Sequence, residues 1–114
     1  MAKSRIPNPL ERRHLVEKEL PAEQALAIAE AYLAEERVDE AVEFLGKAED
    51  TERLAALREQ AVREGNAFLL RSVAQALGEP PERDEWRRLA EAADSLGKER
   101  YAEEARRQSE RGDE

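Results

Sequence analysis

Apolar residues recur at helical spacing along almost the whole chain, in runs separated by Gly, Pro, Asn or Asp. The first run, Leu10, Leu15, Val16 and Leu20, follows a capping Asn8 and a first-turn Pro9, and predicts a helix to about Leu20. Pro21 opens a more strongly periodic run, Ala25, Ile28, Ala29, Tyr32 and Leu33, which predicts a helix to about Glu36. Val38, Ala41, Val42 and Leu45 form the inner face of the next, from Asp39 to about Ala48. Asp50 or Thr51 caps a helix to about Glu64, and Gly65 ends it by supplying a left-handed cap. Asn66 opens a helix that Gly78 closes. After Pro80-Pro81, helices from about Glu82 to Leu96 and from about Lys98 to Ser109 flank Gly97.

These seven segments group as a leading helix plus three helical hairpins, about residues 22–49, 51–78 and 82–109. Turns as short as those at Glu36, Gly65 and Gly97 make the paired helices antiparallel. The hairpins echo one another. Ile28, Ala29, Tyr32, Val38, Ala41, Leu45 and Ala48 are followed by Leu54, Leu57, Ala61, Gly65, Leu70, Ala74 and Leu77, and then by Trp86, Leu89, Ala90, Ala93, Gly97, Tyr101 and Ala105. Self-similarity at such a period marks stacked hairpins, each unable to bury its apolar face alone. The expected class is all-α, as one helical-repeat domain over residues 10–109. Residues 1–9 should be extended, because Pro7 and Pro9 disfavour helix there, and residues 110–114 should fray. An irregular bundle of six or seven helices is the alternative arrangement.

At these residues the chain resembles the tetratricopeptide repeat. The resemblance implies a short right-handed α-solenoid over Ala22 to Ser109, in which small residues let paired helices approach closely. Ala29, Ala41 and Ala48 hold those places in the first hairpin, with Tyr32 as an aromatic wedge and Leu45 as its bulky partner. Trp86, Leu89, Ala90, Ala93 and Gly97 fit the third. The chain departs from the pattern at Arg58, where a small residue is expected, at Leu70, where Ala is usual, and at Tyr101, displaced by about two residues. Its spacing is about 29 and then about 32 residues, against the 34 of the family.

Composition narrows the function. A net charge of −8, with 40% charged residues, argues against nucleic-acid binding, which needs clustered cations, and against docking on anionic lipid. No apolar run approaches the roughly 20 residues that span a bilayer, and no signal-peptide core precedes Leu20, so a cytoplasmic location is expected. The chain has no Cys and a single His, His14, so neither a thiol nor a zinc site can be assembled. Adjacent acids such as Glu35-Glu36 and Glu103-Glu104 are expected to solvate helix faces and pair with arginine, as Glu59 can with Arg63. Each Gly stands alone at a helix end, so there is no phosphate-binding loop. No cofactor, no metal and no catalytic residue are expected.

What remains is surface. On the repeat mapping, the first helix of each hairpin lines a concave side. Glu23, Leu26, Glu30 and Leu33 come from the first, Glu52, Ala55, Glu59, Val62 and Arg63 from the second, and Asp84, Arg87, Glu91 and Asp94 from the third. Seven acids face two bases there, so the expected ligand is a basic protein or peptide captured by opposite charge. Tetratricopeptide domains that clamp a carboxylate end need cations or amides where this chain has Leu26 and Glu30. The expected role is a non-catalytic protein–protein interaction module, an adaptor or scaffold, monomeric or weakly homo-oligomeric. The alternative is a structural or self-associating solenoid fragment. The leading helix is expected to dock Leu10, Leu15, Val16 and Leu20 on the first hairpin, covering its open edge.

Overall fold

The computed structural model describes residues 6–111. Helices account for 78% of them and no strand occurs among them. In chain order these are α1 (Pro9–Glu17), α2 (Ala22–Ala34), α3 (Val38–Lys47), α4 (Thr51–Glu64), α5 (Ala67–Leu77), α6 (Arg83–Ser95) and α7 (Glu99–Arg111). The all-α class and the seven helices are therefore as the periodicity predicts. Two ends differ. Helix α1 stops at Glu17, because Lys18 is extended (φ −101°, ψ 150°) and its carbonyl accepts a hydrogen bond from Lys47 Nζ at 2.7 Å. Helix α7 continues to Arg111, two residues beyond the expected end at Ser109; residues 112–114 of the expected frayed tail, like residues 1–5 of the expected extended segment, lie outside the described residues.

The capping residues act as their chemistry dictates. Asn8 accepts from the Glu11 N–H at 2.8 Å while the Glu11 carboxylate accepts from the Asn8 N–H, a reciprocal box with Pro9 in the first turn. Asp50, rather than Thr51, caps α4, accepting from the Arg53 N–H at 3.1 Å. Asn66 caps α5 through the Leu69 N–H at 3.0 Å.

Five turns repeat one backbone device. At Glu36, Glu49, Gly65, Gly78 and Gly97, φ is 59°, 56°, 63°, 70° and 75°. At each of them the residue's own N–H reaches the carbonyl three back, and the next N–H reaches the carbonyl five back, as Arg37 N does to Tyr32 O at 2.9 Å and Lys98 N to Ala93 O at 2.8 Å. This is the Schellman closure. Within each hairpin the second helix begins two residues after the left-handed position, at Val38, Ala67 and Glu99. The turns at 36 and 65, and those at 49 and 78, are 29 residues apart; those at 65 and 97 are 32 apart. The three extra residues sit in one connection: α4 starts two residues after Glu49, whereas α6 starts five after Gly78, beyond Pro80-Pro81. The uneven turn spacing thus comes from one proline-bearing connection.

Glutamate at a left-handed position is strained, because its Cβ crowds the following carbonyl. Glu36→Gly and Glu49→Gly should each stabilise the protein by about 0.5–1 kcal/mol, read as a shift of the urea midpoint at unchanged slope. No change would mean that glutamate's side chain offsets the backbone strain at these turns.

The chain divides into two compact units, Met1–Leu54 and Ala55–Glu114, with the boundary inside α4. In the first, α2 packs on α3. Ala29 and Ala41 are fully buried, while Ala48 is half-buried. Tyr32 and Phe44 stack, with centroids 5.8 Å apart and planes 19° from parallel. The Arg12 guanidinium of α1 lies 5.8 Å and 5.7 Å from these two ring centres and donates to the Glu40 carbonyl at 3.3 Å. Leu15, Val16 and Leu20 are half-buried, but Leu10 is 68% exposed and does not join them. Capping at Asn8 and the reach of Arg12 fix the helix so that Leu10 faces water.

In the second unit α6 packs on α7, and α5 lies beside α7. Trp86, Leu89, Ala90 and Ala93 of α6 are buried, with Leu69, Leu70, Val73 and Ala74 of α5 and Ala102 and Ala105 of α7. The α4–α5 turn presses on α6: a Cβ placed on Gly65 would lie 2.6 Å from Ala93 Cα and 2.7 Å from Ala93 N. Only glycine permits both that approach and that φ.

Candidate functional site

In the first unit, Glu23, Glu30 and Glu52 are exposed, and Leu26 and Leu33 are half-buried. Glu30 is engaged by Arg53 at 3.4 Å, and Arg53 also reaches Asp50 at 3.5 Å. In the second unit, Glu59, Asp84, Arg87, Glu91 and Asp94 are exposed. Here too arginines intervene. Arg88 lies 3.8 Å from Glu59 and 3.5 Å from Asp84, Arg87 is 4.0 Å from Asp84, and Arg106 pairs with Asp94. Glu59 thus meets Arg88 of α6 at the place where Arg63 of its own helix was expected. Of the seven acids, Glu23, Glu52 and Glu91 carry no ion pair among the described residues. Val62 corrects the expected apolar floor: at 4% exposure it belongs to the core, because the inner stripe of α4 runs Leu54, Leu57, Ala61, Val62.

Arg58 explains itself once α4 and α6 are side by side. Its guanidinium forks onto the Glu85 carboxylate with contacts of 2.6 Å and 2.7 Å, and donates also to the carbonyls of Glu79 at 2.9 Å and Pro80 at 3.3 Å. Both side chains are only about one-sixth exposed, 15% and 16%. Hydrogen bonds from Arg58, and then from the Glu82 N–H, hold the Glu85 carboxyl below the usual carboxylate range against the opposing effect of burial. The pair pins the proline-bearing connection to α4. An arginine on an otherwise apolar stripe, at a place where the repeat wants a small residue, was the signal for such a partner; its identity was not legible across 27 positions of sequence.

A second surface lies between α5 and α7, outside every residue expected to bind. Phe68, half exposed at 50%, and the half-buried Tyr101 border a hollow of about 480 Å³ with Arg71, Arg100, Glu104 and Arg107. Arg71 bridges to Glu104 at 2.7 Å. A neighbouring, more apolar hollow of about 470 Å³ runs from Arg71 along Gly78 to Pro80 and Pro81. Sequence reading passed over Phe68 because the repeat template assigns no role to that position.

The perturbed titrating groups do not make a catalytic set. Besides Glu85, the Glu40 carboxyl is held low by hydrogen bonds from Arg37, which lies 5.1 Å over the Tyr32 ring. A carboxyl held low and clasped by arginine stays ionised and is a poor proton donor. His14 is exposed on α1, and no cluster of three or more metal-ligating side chains occurs among the described residues. No helix among the described residues is long and apolar enough to cross a membrane. Compared with known proteins, the chain matches no family profile, no curated protein and no solved structure.

Proposed function

We propose that this chain is a non-catalytic interaction module of tetratricopeptide-like design that binds a protein or peptide partner on the face of its first helices. The observation that carries this reading is the side-by-side placement, in the second unit, of the first helices of successive hairpins. Arg58–Glu85, Glu59–Arg88 and the approach of Gly65 to Ala93 join α4 to α6, while Arg71–Glu104 joins the second helices α5 and α7. First helix beside first helix and second beside second is how a solenoid grows, and a short right-handed solenoid is the arrangement proposed here. Such a stack leaves the first helices' outer stripe free for a partner. A basic partner fits the acids that carry no ion pair among the described residues, Glu23, Glu52 and Glu91, which are open to capture by opposite charge.

The test is binding of peptides selected by display on the folded protein. Lysine- and arginine-rich sequences should be enriched. The triple change Glu23→Lys, Glu52→Lys and Glu91→Lys should weaken their binding about tenfold or more at low salt. A control triple of equal charge, Glu19→Lys, Glu43→Lys and Glu99→Lys, also on exposed positions, should have far less effect. Equal losses in both would reduce the site to net charge alone, and no loss in either would remove it from this stripe.

A further inference from the structure

Helix α7 carries a charge pattern that reverses sign on reading it backwards. About its midpoint, Ala105, Glu99 mirrors Arg111, Arg100 mirrors Glu110, Glu103 mirrors Arg107 and Glu104 mirrors Arg106. An antiparallel copy of the same helix, related by a two-fold axis at Ala105, would therefore meet it with every charge opposed to its opposite. Two of these residues are already occupied within the chain, Glu104 by Arg71 and Arg106 by Asp94. The other four that matter, Arg100, Glu103, Arg107 and Glu110, are exposed and carry no ion pair among the described residues. At 100° per residue they fall on one stripe. The pattern also suits pairs within the helix, yet Glu103 and Arg107, four residues apart, do not form one.

An apolar element lies beside this stripe. Phe68 and Tyr101 border the hollow that Arg100, Glu103 and Arg107 also line, and half of Phe68 is in water. We propose that this face is a homotypic interface: a second copy of the chain lays its α7 antiparallel across α7, covering Phe68 and filling the hollow. In this register Glu103 faces Arg107 of the second copy and Arg100 faces its Glu110, each pair occurring twice. The 13-residue helix offers about 20 Å of contact, so the interface is smaller than the roughly 800 Å² per partner of a stable complex. The association is therefore weak, with a dissociation constant of about 0.1–1 mM. The net charge of −8 on each copy opposes it at long range, but at about 0.15 M salt that repulsion is screened beyond about 8 Å, while the facing pairs are closer than this. This surface shares no residue with the stripe proposed for the basic partner, so the two readings stand or fall separately.

Sedimentation equilibrium at protein concentrations up to about 1 mM tests the proposal. The parent chain should shift from 12.9 kDa toward twice that mass. Glu103→Arg and Arg107→Glu should each remain monomeric while keeping their helical circular dichroism, since both positions face water. Glu103→Arg brings the net charge nearer zero and so would favour association if repulsion between whole molecules were the controlling effect. Mixing the two variants should restore dimerisation, because each then presents the charges the other lacks. A parent chain that stays monomeric, variants that associate like the parent, or a mixture that stays monomeric would each overturn the α7 interface.

Discussion

Gly65→Ala should lower the stability of the protein by about 3 kcal/mol, whereas Gly78→Ala and Gly97→Ala should cost only about 1 kcal/mol each. All three glycines have similar left-handed φ, so the strain on an alanine backbone is common to them. What differs is the space. An added Cβ meets nothing within 4 Å at Gly78 and Gly97, but at Gly65 it meets Ala93 Cα, N and Cβ at 2.6–2.8 Å. Two of those atoms are backbone of α6 and cannot rotate away, so relief requires the α4–α5 turn to move off the helix. Against a total stability of about 5–15 kcal/mol, the loss is large. Urea unfolding of the three variants side by side measures it. Equal costs at all three sites would mean that the turn and α6 do not touch.

The second large effect is at Arg58 and Glu85. Glu85→Ala leaves a guanidinium with little access to water and only two carbonyls to satisfy it, and should cost about 2–3 kcal/mol. Replacing both, as Arg58→Met with Glu85→Leu, should recover most of that loss, because no charge is then left without its partner. The pair also sets a pH dependence. Since the folded Glu85 carboxyl titrates below its unfolded value of about 4.3, its contribution is complete above that pH and disappears as the pH falls through the lower folded value. Chemical denaturation between about pH 7 and pH 2 should show the parent losing more stability on acidification than Glu85→Gln, which cannot lose this proton-linked part. Parallel curves would mean that Glu85 titrates like a free carboxylate.

Most of the helical plan could be read from the chain because its punctuation is chemical. Asn8, Pro9, Asn66, Gly65, Gly78 and Gly97 each do in the structure what their backbone preferences dictate. The left-handed turn at Glu49 was invisible for the same reason: glutamate has no preference for that φ, and only the helices on both sides compel it. The stop of α1 at Glu17 was not legible because it depends on Lys47, 29 positions on from Lys18, whose ammonium holds the Lys18 carbonyl. The acidic stripe was legible as a list of positions and misleading as a field. Arg53, Arg88 and Arg106 lie off that stripe, and only the fold brings them onto Glu30, Glu59, Asp84 and Asp94. Val62 fell one position across the boundary between the inner and outer stripes of α4. Phe68 was beyond reach, since its exposure depends on what α7 leaves uncovered beside α5.

Both the proposed repeat and the surface proposed for a partner follow from the side-by-side placement of first helices in the second unit. A nuclear Overhauser spectrum of the protein in solution tests it directly at Gly65 and Ala93. A strong cross-peak between the Gly65 Hα protons and the Ala93 methyl is the predicted result, accompanied by sequential amide contacts through α4 and α6. The same helical contacts without the Gly65–Ala93 cross-peak would contradict it, because α4 and α6 would then be intact helices that are not neighbours.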